Sequence, residues 1–114
     1  MKYQIEIFLK PILLSLSNPE YQQRVWLKKL GPEVDSYIEA LEVFLEISEA
    51  FLNNKEMQTI LGLNNLDILR KLTDEIEAFD STLSDKEMRD VQLILSNPKW
   101  HAIQNSSKEL YDKL

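Results

Sequence analysis

Apolar residues recur along most of the chain at spacings of three and four, the period of an α-helix and not the alternation of a strand. The cleanest rhythm is Leu69, Leu72, Ile76, Phe79 and Leu83, in a helix that begins near Asn65. Trp100, Ile103, Ser107, Leu110 and Leu114 repeat it in a closing helix. Val34, Ile38, Leu41, Leu45, Ser48 and Leu52, widened by Tyr37, Phe44 and Phe51, predict the longest helix, over 33–53. Shorter patterns follow Tyr21, Val25 and Trp26, and Met88, Val91 and Leu95. Residues 3–16 carry an apolar band through Tyr3, Ile7 and Leu14 that Pro11 must bend or begin. Ile5-Glu6-Ile7-Phe8 also fits a short strand, so residues 3–9 stay open between helix and strand.

The breaks between these patterns carry helix-end chemistry. Asn18-Pro19-Glu20 supplies a cap, a proline at the first helical position and an acid at the positive end of the dipole, and Asn97-Pro98 repeats the start. Ser84-Asp85-Lys86-Glu87 spells a capping box. Gly31-Pro32 is the expected stop of a helix running through Leu30, Asn53-Asn54 ends the long one, and 56–61 allow a short extra turn before Gly62. The expectation is all-α: one domain over 1–114, a bundle of about six helices with short loops. Leu16-Ser17-Asn18-Pro19-Glu20-Tyr21 echoes Leu95-Ser96-Asn97-Pro98-Lys99-Trp100, which reads as one capping chemistry used twice.

Composition agrees. Two glycines and four prolines in 114 residues are too few for a sandwich or barrel. Cysteine is absent, so no disulfide, thiolate nucleophile or cysteine-based metal site can form. The longest clean apolar run near the start, Ile12-Leu13-Leu14, is too short for a membrane span or secretory signal. A cytoplasmic protein is the expectation. The formal charge of −6 argues against nucleic acid or an anionic membrane as partner.

Little in the sequence is equipped for catalysis. His101 is the only histidine, and no nucleophile-elbow or phosphate-loop motif accompanies it, so a structural role is expected. Glu46-Ile-Ser-Glu49 and Glu77-Ala-Phe-Asp80 are E-x-x-E and E-x-x-D pairs, each able to present two carboxylates on one helix face. Two such pairs on adjacent helices look like the Mg²⁺ site of all-α nucleotide pyrophosphohydrolases of the MazG-like type. The family's adjacent Glu-Glu doublet is missing here. The main reading is therefore a non-enzymatic protein with no cofactor or metal.

The charge is unevenly distributed. Residues 31–54 hold six acids and no base. Asp35, Glu39, Glu42, Glu46 and Glu49 are spaced 4, 3, 4, 3, which lines them along one helix face. Like charges at this spacing repel by a few tenths of a kcal/mol per pair. One reading is a solvated face offset by basic residues of the first two helices folding against it. The other is a docking face for a basic partner, because a single-sign field speeds encounter and selects partners.

At motif level, Ser17-Asn18-Pro19-Glu20-Tyr21-Gln22-Gln23-Arg24-Val25-Trp26 resembles the N-P-E-Y-Q-x-R-V-W segment of a family of small bacterial proteins. Asn97-Pro98-Lys99-Trp100 resembles that family's D/N-P-x-W ending. Some relatives in that family are immunity proteins of contact-dependent growth inhibition systems, which neutralise a toxin domain by binding it. The family's paired Asp residues are absent here, where the chain reads Ile47-Ser48-Glu49-Ala50-Phe51. The resemblance implies a protein partner that is a toxin domain; the charge pattern, read independently, makes that partner basic and Asp35, Glu39, Glu42, Glu46 and Glu49 its binding face. Arg24 and Trp26 are candidate anchors, or a packing or cation–π pair within the fold. The alternatives are the Mg²⁺-dependent hydrolase using Glu46, Glu49, Glu77 and Asp80, and a regulatory or scaffolding domain that could form a homodimer.

Overall fold

The computed structural model describes residues 3–114, and all of its regular structure is helical. Helix α1 opens with a π-helical segment, Ile5–Leu9, in which the Lys10 N–H reaches back to the Ile5 carbonyl, and continues as α-helix over Lys10–Ser17. Residues 3–9 are therefore helix. Pro11 falls just after the wide turn, inside the continuous helix; lacking an N–H, it makes no backbone hydrogen bond to the preceding π-helical turn.

Asn18 caps α2, Pro19–Tyr21, accepting from the Tyr21 N–H at 3.1 Å; this helix runs on as a second π-helical segment, Gln22–Leu27. It ends three residues before the expected Leu30. The stop is not a glycine: Lys29 takes a left-handed φ of 55°, and the Leu30 N–H closes on the Arg24 carbonyl at 2.8 Å. Helix α3 spans Tyr37–Leu52, capped by Ser36 through the Glu39 N–H. Its predicted start was 33. Residues 32–36 instead run outside the helix, and Val34 is 89% exposed, not part of the core stripe.

Helix α4, Lys55–Leu61, is capped by Asn54 and fills the stretch read as an extra turn. Helix α5 is Leu63–Ser81, with Leu69, Leu72, Ile76 and Phe79 buried as the spacing predicts; Leu83 lies beyond its end. The Ser84–Glu87 capping box forms with both reciprocal bonds and starts α6, Asp85–Met88. Asp90 then caps a separate helix α7, Val91–Ser96, and Asn97 caps α8, Pro98–Lys113. The described residues thus hold eight helices where about six were expected, because Asp90 restarts the backbone inside one predicted helix and α4 is long enough to count.

Helices α1, α3, α5 and α8 form a closed ring: α1 packs on α8 and α3, and α5 packs on the same two. Their inner faces build one continuous core. At one end of it Trp100 sits among Trp26, Tyr37 and Phe79, at ring-centre distances of 5.9, 5.4 and 5.6 Å. Helix α1 buries Ile5, Leu9, Ile12, Leu13 and Leu16. The band expected to face inward, Tyr3, Ile7 and Leu14, is exposed. This helix is apolar on nearly every side, and its two neighbours select which side is covered.

Candidate functional site

The segment from Ser15 to Asp35 is held by side chains satisfying one another. The Gln22 amide is fully buried and makes four hydrogen bonds. Its Nε2 donates to the Ser15 and Leu16 carbonyls at 2.9 and 2.8 Å. Its Oε1 accepts from Trp100 Nε1 at 2.9 Å and Gln104 Nε2 at 2.7 Å. All donors and acceptors of this amide are used, so a polar group costly to bury becomes a specific clasp between chain ends. The motif segments 17–26 and 97–100 meet through it.

Asp35 lies one residue before the cap of α3 and is half-buried. Its Oδ2 accepts from Tyr21 Oη and Trp26 Nε1, both at 2.9 Å. Two residues five apart sit about 140° apart on an ordinary α-helix. The i→i+5 winding over Gln22–Leu27 turns both toward one carboxylate. Burial and the Asp35 carboxylate push the Tyr21 hydroxyl up to about 12. Desolvation and a 2.8 Å bond to Asp80 likewise raise Tyr37.

Neither proposed anchor is a free surface group. Trp26 is 2% exposed and belongs to the aromatic cluster. Arg24 forks onto Glu33 through Nη1 and Nη2 at 2.8 and 2.6 Å and donates to the Leu30 carbonyl. That pairing holds the Glu33 carboxyl down at about 2. The guanidinium stacks on Tyr21 and not on Trp26, 5.9 Å from the ring centre. Gly31, at φ 101°, sits beneath the pair; a Cβ there would run into the Arg24 guanidinium and the Glu33 carboxylate.

The acidic stripe divides. Asp35 is turned to Tyr21 and Trp26 and leaves the face. Glu39, Glu42, Glu46 and Glu49 are exposed along the outer side of α3, and among the described residues none forms an ion pair. Of the basic residues expected to offset them, Lys10 pairs with Glu6 and Arg24 with Glu33. Lys28 and Lys29 form no ion pair among the described residues, although Lys29 lines one concavity with Glu39, and Lys2 lies outside the described residues. Tyr37, Phe44 and Phe51 are core, on the opposite side of the helix.

The carboxylates of the hydrolase alternative disperse. Glu49 and Glu77 line a pocket of about 260 Å³ between α3 and α5, floored by the buried Ser48 and Thr73 hydroxyls, which share a 2.6 Å hydrogen bond. Asp80 is turned to Tyr37, and Glu46 does not line that pocket. Among the described residues no three His, Asp or Glu side chains converge as a metal-binding group. His101 is exposed with Nε2 2.7 Å from the Leu95 carbonyl. A carbonyl only accepts, so Nε2 carries the proton.

The chain matches no family model, no curated protein and no solved structure.

Two concavities flank the start of α3. The larger, about 600 Å³, lies under residues 29–36 with Trp26 and Tyr37 in its wall and Lys29, Glu39 and Arg89 among its lining. The smaller, about 290 Å³, is a groove between α1 and α3 lined by Ile7, Phe8, Pro11, Val43 and Ile47, with Asp35 also in its wall. Sequence reasoning missed the groove because it needs both helices. The only available signal was that α1 carries more apolar residues than one buried face can use. Among the described residues no helix is long and apolar enough to cross a membrane.

Proposed function

We propose that this protein is a non-enzymatic binding domain that docks a basic protein partner on the outer face of α3. The observation that carries this reading is the row Glu39, Glu42, Glu46 and Glu49, exposed and without an ion pair among the described residues. Self-repulsion along a helix is a cost, modest in water, that a cationic partner removes. A toxin-neutralising role in the cytoplasm, of the kind the motif resemblance implies, is the specific form. A carboxylate row suits the cationic surface on which a nuclease holds phosphates. The binding face in this reading is Glu39, Glu42, Glu46 and Glu49. Asp35 contributes by fixing the entry to α3, and Arg24 and Trp26 by supporting the fold.

The test is affinity capture of basic proteins at low salt by the wild-type chain and by Glu42→Lys/Glu46→Lys/Glu49→Lys, followed by co-expression with any toxin encoded beside it. The reversal is expected to reduce capture at least about tenfold, a difference of about 1.4 kcal/mol, and to abolish protection. Equal capture by a folded variant removes this face as the site.

A further inference from the structure

The bundle leaves one helix with a second apolar face. Tyr3, Ile7, Phe8, Pro11 and Leu14 are all exposed on the outer side of α1, with Ile7 at 59% and Phe8 at 49%. Val43, 45% exposed, and the half-buried Ile47 continue that surface across the groove onto α3. Side chains of this size cluster on a monomer's surface mainly where something docks.

Charge restricts the occupant. On the α1 side Glu6 and Lys10 neutralise each other at 3.0 Å. On the α3 side Glu39, Glu42 and Glu46 have no ion pair among the described residues. Asp35 stands in the groove wall with both of its hydrogen bonds on Oδ2. The flanks are thus apolar, then acidic, in crossing from α1 to the outer face of α3. A second copy would bring the same net charge of −6 and the same acidic flank.

We propose that the α1–α3 groove receives an amphipathic helix of the partner, with apolar side chains at i and i+4 seated against Ile7, Phe8 and Val43, and with lysine or arginine along the edge facing Glu39, Glu42 and Glu46. This rests on the reading of α3 as a docking face for a basic protein, and adds to it the apolar anchor that carries affinity where exposed charge pairs contribute little.

The test uses a fluorescein-labelled synthetic helix of leucine and lysine in amphipathic order, and a permutation of the same residues without helical periodicity. Binding to the full chain is read by anisotropy at physiological salt. The amphipathic peptide is expected to bind at least about tenfold more tightly than the permuted one. Val43→Asp is expected to erase that difference, and Phe8→Asp is the second variant should the first lose its helical circular dichroism. Glu42→Lys/Glu46→Lys is expected to weaken both peptides. Equal binding of the two peptides, lost only in the glutamate reversal, overturns the groove and leaves the acidic face standing. Binding of neither peptide overturns both readings. Concentration-dependent dimerisation of the wild type in sedimentation, abolished by Val43→Asp, assigns the groove to a second copy and overturns the proposal.

Discussion

The Gln22 region and the outer face of α3 treat polar groups in opposite ways. Around Gln22 every polar atom of a buried amide finds a partner, two of them from residues 78 and 82 positions away. Beside it, one carboxylate oxygen of Asp35 serves both Tyr21 and Trp26. On α3 four carboxylates in a row find none among the described residues. Satisfied groups in a low-dielectric interior specify how elements dock, and losing one strands its partners. Exposed like charges in a row instead repel one another at a modest cost in water. The segment 17–26 lies in the first region; the face proposed to bind lies in the second.

The contrast can be broken most forcefully at Gln22. Gln22→Leu keeps the volume but orphans the Trp100 indole, the Gln104 amide and two carbonyls, and is expected to cost about 3–5 kcal/mol in urea unfolding. A loss under about 1 kcal/mol would mean that water or local repacking replaces the clasp. Asp35→Ala is next, at about 2–4 kcal/mol, since it strips the acceptor from a buried indole and a phenol. Asp35→Asn retains an acceptor and should recover part of the loss.

The alkaline limb sharpens the same region. Tyr21 rises from an ordinary 10 to about 12 in the fold, and Tyr37 is raised too. Both phenols are therefore neutral in the folded chain where the unfolded chain has begun to ionise. The stability they contribute is present below pH 10 and drains away as pH climbs toward 12. Thermal melts across that window should steepen downward, and Tyr21→Phe should flatten the slope by up to about one proton. An unchanged slope would place the phenol in water.

The smallest effect has the opposite sign. Glu46→Lys turns two like-charge neighbours, Glu42 and Glu49, into attractive pairs, and is expected to stabilise the chain by about 0.5–1 kcal/mol while weakening partner capture. A variant that gains stability and keeps its binding would make the face merely solvated.

Much of the fold was legible because helix formation is local. Caps at Asn18, Ser84 and Asn97, and the buried rhythms of α5 and α8, depend on residues within a turn or two of each other. The acidic character of α3 was equally readable, since it is a matter of spacing. The candidate site was legible in part: Glu39, Glu42, Glu46 and Glu49 lie where the spacing put them, whereas Asp35, Arg24 and Trp26 are engaged inside the fold. No 3.6-residue wheel places Tyr21 and Trp26 together, because the backbone there is wound to i→i+5.

What the sequence determined by itself is therefore the helical class, most helix ends and the sign of the charge on each surface, all set by short-range backbone and side-chain preferences. The tertiary structure alone decided which of two apolar faces of α1 is covered, that Gln22 points inward to meet Trp100 and Gln104, and that a groove opens between α1 and α3. Those outcomes depend on packing and hydrogen bonds between distant segments, whose free energy appears only once the ring of helices closes.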